Sequence, residues 1–183
     1  ILTVCVGGCS PTDYIVKSMD PLMGHMAAAV NMNPDVEMVR DAMPASLIQM
    51  DGLIQASPDP KLLLRASEAY FGYTFAFVAD TDKPRARMLF LKARDYALRV
   101  LMMNAHFRDS FGKGVTALTE SLNELDVEDV PALYWTANNW MAWIAINLEN
   151  PEVLLDVPKV EAMLRRALAL DETYYNGAAH ATL

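Results

Sequence analysis

The 183-residue sequence has only two cysteines, Cys5 and Cys9, both within its first ten residues. Nothing further along the chain can build a disulfide framework or a thiolate zinc cluster, so packing alone must hold it together. Positive charge is also scarce. Lys and Arg number 15 against 23 Asp and Glu, a formal net charge of −8, and no Lys/Arg face is concentrated enough to grip phosphates. A nucleic-acid partner is therefore set aside. After Cys9 no apolar run approaches the roughly 18 residues that a membrane span needs.

The short motifs of hydrolysis and nucleotide binding are missing as well: there is no Gly-x-Ser-x-Gly, His-Glu-x-x-His, Gly-x-Gly-x-x-Gly or phosphate loop. Phe111-Gly112-Lys113-Gly114 lacks both the earlier glycine and the Ser or Thr that should follow the lysine, and it reads as a turn between helices. His25, His106 and His180 lie far apart, and none has a histidine four residues on. Glu120 and Glu124 share a helical face but read as solvated. No catalytic residue, metal site or cofactor is expected.

Hydrophobic residues make up 53% of the chain, enough at this length to bury roughly two-thirds of the unfolded surface around one core. They recur at helical spacing almost throughout, with no strict alternation to mark a strand. One stripe runs Ile15, Met19, Leu22, Met26 and Val30, bounded or kinked by Pro21. A second runs Val36, Val39, Met43, Leu47, Met50 and Ile54, with Pro44 inside it. Leu62, Leu63, Ala66, Ala69, Tyr70, Tyr73 and Phe77 mark a third helix, and Leu89, Ala93, Tyr96, Val100 and Met103 a fourth. Val115 to Leu125 is a shorter fifth. Leu133, Ala137, Trp140, Met141, Ile144 and Leu148 form a sixth, opened by Pro131, and a seventh starts at Pro158. An eighth is expected to begin around Ala178.

Helices three and four recur as helices six and seven. Leu63 falls on Leu133, Tyr73 on Trp143 and Ala93 on Ala167. A hairpin unit that cannot bury its face alone stacks on the next copy. The expected fold is therefore all-α, an irregular tetratricopeptide-like helical-hairpin bundle in one domain.

The start of the sequence reads as a remnant. Residues 1–8 end an apolar run in Val6-Gly7-Gly8, directly before Cys9, which matches a bacterial lipobox at the end of a lipoprotein signal peptide. In that reading Cys9 carries a lipid, and residues 9–183 are the helical domain, truncated at its C-terminal end.

Aromatic residues are unevenly placed. Trp135, Trp140 and Trp143 are the only three tryptophans, and Tyr70, Phe71, Tyr73, Phe75 and Phe77 crowd the matching stretch of the earlier repeat. Trp135, Asn139 and Trp143 recur at i, i+4 and i+8, away from the Leu133–Ile144 stripe, so the sixth helix has two apolar faces. Such a helix is either sandwiched between protein layers or lines a cavity. In the second case Trp135, Asn139, Trp143, Tyr70 and Tyr73 are the candidate ligand-binding residues, with the amide fixing orientation among the rings.

Several segments resemble one known family. Val39-Arg40-Asp41-Ala42-Met43-Pro44, Lys92-Ala93-Arg94-Asp95-Tyr96, Val130-Pro131-Ala132-Leu133-Tyr134-Trp135-Thr136-Ala137 and Arg166-Ala167-Leu168-Ala169-Leu170-Asp171-Glu172 are similar, in order, to the TatT family. These are the T-components of TRAP (tripartite ATP-independent periplasmic) transporters. The resemblance implies a non-catalytic, periplasm-facing lipoprotein that forms a homo-oligomer and touches the membrane only through its lipid anchor. It also implies association with the substrate-binding P-component, and a cavity or pore for a small apolar or amphipathic ligand. The Asn138-Asn139 pair departs from a stretch that is usually small in the family. The rival reading is a tetratricopeptide-type scaffold that binds a protein partner and no small ligand.

Overall fold

The computed structural model describes Tyr14, Val16 and residues 18–183. Cys9 and the stretch before it lie outside the described residues, as does Ile15. Every regular element among the described residues is helical, as the spacing predicts. By internal contacts the chain falls into two units, Ile1–Leu62 and Leu63–Leu183.

In the first unit, α1 (Asp20–Met32) takes Pro21 into its first turn, where a missing N–H costs nothing. Its buried residue is Met23, while Leu22, Met26 and Val30 are exposed. The helix is apolar nearly all round, through Met23, Met26 and Ala27 to Ala29, so periodicity alone did not identify the buried position. α2 (Val36–Ala56) starts at Asp35, whose carboxylate accepts the Met38 amide at 2.9 Å. It runs through Pro44 and buries Leu47 and Ile54 on the expected stripe.

α3 (Pro60–Phe77) begins at the boundary between the units. α4 (Lys83–Leu101) is capped by Asp82, which accepts the Arg85 amide at 3.1 Å. A six-residue helix, α5 (Ala105–Ser110), follows an Asn104 cap. Phe111 to Gly114 is a turn: the Lys113 amide bonds to the Ser110 carbonyl, and Gly114 sits at φ 99°, a region that L side chains avoid. α6 (Val115–Leu122) and a 3₁₀ turn (Val127–Asp129) lead into α7 (Val130–Ala145). Asp126 and Asp129 cap that entry reciprocally, and Pro131 lies in the first turn. α8 (Val157–Leu170) and α9 (Tyr174–Thr182) complete the second unit.

α7 is the centre of this unit. Residues 132–140 are buried without a break, because α4, α8 and α9 all pack on the helix and α3 reaches it through Ser67. A helix apolar on every side is expected only where protein covers every side. Leu133 and Ile144 lie in the core with Leu101, Phe107, Leu118, Met163 and Leu164. Ala93 and Ala167, the small residues of the repeat alignment, are both buried.

Candidate ligand site

Trp135 and Asn139 are one turn apart on α7 and directly linked: the Asn139 Nδ2 donates to the Trp135 carbonyl at 2.7 Å. The same Nδ2 donates to Ser67 Oγ at 3.1 Å, and Ser67 Oγ donates to the Ala93 carbonyl at 2.7 Å. This relay ties α7 to α3 and α3 to α4. Asn139 is fully buried, and its Oδ1 has no hydrogen-bond partner.

The other residues singled out by sequence lie apart from this pair. The Tyr70 ring packs on Tyr96 at 5.9 Å, with the Lys92 ammonium 4.7 Å above it. Tyr73 packs on Phe77, and its hydroxyl accepts from Arg85 at 3.3 Å. Trp143 is half-buried two turns beyond Trp135, packed against the core. Trp140 lies between two cations, the Arg94 guanidinium at 5.0 Å and the Lys159 ammonium at 5.7 Å.

Trp135 instead joins a cluster that sequence reasoning missed. Its ring meets Tyr134 and Tyr175, each at 5.0 Å and close to edge-on, and Phe71 at 5.7 Å. Tyr134 stacks on Tyr175 at 5.7 Å and meets Tyr174 edge-on at 5.6 Å. Glu68, half-buried on α3, accepts a hydrogen bond from the Tyr175 hydroxyl at 3.1 Å. One carboxylate is thus set beside rings drawn from α3, α7 and α9.

The electrostatics keep these phenols protonated. Burial, reinforced by the Glu68 charge, pushes Tyr174 and Tyr175 up to about 12. Tyr134 is also raised, by burial above all. Each hydroxyl is therefore a donor at physiological pH. One turn along α7, Asn138 Oδ1 accepts from the Thr182 hydroxyl at 3.2 Å, while its buried Nδ2 has no partner.

The backbone beneath Tyr175 is unusual. Tyr175 (φ 50°), Asn176 (φ 57°) and Gly177 (φ 73°) form a left-handed run inside α9. The Asn-Gly pair signals such a turn, but a tyrosine at positive φ is disfavoured. The signals in the sequence were the Tyr134-Trp135 and Tyr174-Tyr175 doublets. Nothing in their spacing connects either doublet to Glu68.

A separate open groove of about 380 Å³ lies between α6 and α8, lined by Val115, Leu122, Pro158, Ala162 and Arg166 among others. The Arg166 guanidinium is turned to the Asn123 and Leu125 carbonyls. Among the described residues no group of His, Cys, Asp and Glu is placed to hold a metal ion.

Compared with protein-family models, residues 32–183 match the TRAP transporter T-component model. The chain belongs to that family. The match spans α2 to α9 and the aromatic cluster, so the T-component assignment rests on the folded body and not on the first residues. No curated protein sequence matches this T-component. As a TRAP component it operates in the bacterial cell envelope, and among the described residues no helix is long and apolar enough to cross a membrane.

Proposed function

We propose that this T-component is a non-catalytic, periplasm-facing lipoprotein. It docks on the substrate-binding P-component, assembles as a homo-oligomer and offers a cavity or pore to a small apolar or amphipathic organic ligand. The observation that carries the reading is the family match over residues 32–183. The absence of a membrane-spanning helix among the described residues leaves the Cys9 lipid as the proposed link to the membrane, and the stacked hairpins supply a tetratricopeptide-like frame. Trp135 is the ligand-facing residue best supported by its surroundings, because its ring joins a cluster that reaches the surface at Tyr175. In this arrangement Asn139 holds the α7 backbone at Trp135, whereas Tyr70, Tyr73 and Trp143 pack elsewhere, against Tyr96, Phe77 and the core.

Docking on the P-component is read by sedimentation of the mixed proteins. The anchor has its own test. Precursor supplied with labelled palmitate is expected to take up label in the wild type and none in Cys9→Ala. Equal label in both would remove the anchor from the proposal.

A further inference from the structure

We infer that Glu68, Tyr134, Trp135, Tyr174 and Tyr175 form a closed box for a quaternary ammonium group, with the Tyr175 ring as its plug. This rests on the reading of the T-component as ligand-bearing and names the chemistry of the ligand. Aromatic faces attract cations through the ring quadrupole, and several rings around one alkylated ammonium are a recurrent solution to its recognition. Here three tyrosines and a tryptophan converge, each ring within 5.0 to 6.2 Å of at least two of the others. A purely apolar ligand would have no use for the half-buried Glu68 carboxylate at their side. An ammonium would.

In the structure the place of such a ligand is taken by Tyr175. Its ring covers Tyr134 and meets Trp135, and its hydroxyl satisfies Glu68. The side chain is 47% exposed, so its outer side already faces solvent. The backbone that holds it is strained, with Tyr175 and Asn176 both at positive φ. Relaxing that run would withdraw the ring and leave Glu68 on α3, with Tyr134 and Trp135 on α7, in place as walls. An entering ammonium then exchanges one phenol hydrogen bond for a charge pair with Glu68 and cation–π contact with the remaining rings. A free alkylammonium and a choline lipid headgroup share this chemistry.

The test is tryptophan fluorescence of the full chain, titrated at constant ionic strength with choline chloride. Dimethylbutanol, the neutral isostere of choline, and phosphatidylcholine vesicles are run in parallel. Choline is expected to give a saturable change and dimethylbutanol none over the same range. Glu68→Gln, checked for unchanged circular dichroism, should weaken choline binding at least about tenfold. Tyr175→Ala should tighten it about tenfold, because a site open for only a fraction of the time has its affinity reduced by that fraction. A Glu68-dependent response to vesicles but not to free choline keeps the ammonium site and assigns it to a headgroup. Equal saturation by choline and dimethylbutanol, unmoved by Glu68→Gln, overturns the cation site and leaves a ligand-bearing T-component standing. No response to any probe overturns the box altogether. P-component docking, measured separately, then decides the wider reading.

Discussion

Asn139→Asp is expected to destabilise the protein by about 3–5 kcal/mol at neutral pH, the cost of an unpaired charge in a closed interior. The substitution is nearly isosteric, so the loss is electrostatic. Asn139 is fully buried, and its Nδ2 serves both Ser67 and the Trp135 carbonyl. A carboxylate can donate to neither, and it faces the Trp135 carbonyl with like partial charge. Burial should raise the pKa of the new Asp in the folded state above its unfolded value of about 4. A raised folded pKa makes the deficit small below the unfolded value. The deficit grows as pH rises between the two pKa values, by about 1.4 kcal/mol per pH unit, and levels off above the folded one. Urea denaturation of both proteins from pH 5 to 8 reads this directly. A residue lining a hydrated cavity would instead show a small loss that does not vary with pH, placing Asn139 itself on the ligand surface.

Ala93→Trp should cost about 3 kcal/mol or more, because overpacking a close helix contact forces backbone shifts as well as poor rotamers. Ala93 has no exposed surface, its carbonyl accepts the hydroxyl of Ser67 on α3, and the helix that carries it, α4, packs on α7. An indole there separates the helices and breaks the relay that ends on Asn139. Met88→Trp is the control on the same helix. Met88 is 65% exposed, so its replacement should stay within about 0.5 kcal/mol of wild type. Equal effects at the two positions would mean that α4 does not meet its neighbours through Ala93.

The sequence was informative where one helix carries its own signal. Proline in a first turn marked the starts at Pro131 and Pro158. The two apolar faces of the sixth predicted helix became the all-round burial of α7, and the Phe111–Gly114 turn proved to need its second glycine. Where several faces are apolar, as on α1, periodicity predicts a helix but not its buried side. α5 escaped notice because six residues are too few to show a period, although its Asn104 cap was visible. The aromatic cluster was illegible for a different reason. Glu68, Tyr134 and Tyr175 are brought together by tertiary packing and by a left-handed run in α9 that no hydrophobic pattern encodes. The Trp135–Asn139 face was singled out as a unit, yet its two ends do different things. Asn139 bonds inward to Ser67, and Trp135 meets the rings that lead outward to Tyr175.

Docking on the P-component tests the central claim most directly. The purified T-component body and its cognate P-component, mixed at micromolar concentration, are examined by sedimentation velocity. A faster-sedimenting species containing both proteins should appear and saturate at a fixed ratio as the P-component is added. Independent sedimentation of the two proteins, with the T-component fully helical by circular dichroism and the P-component still binding its own substrate, would contradict the account.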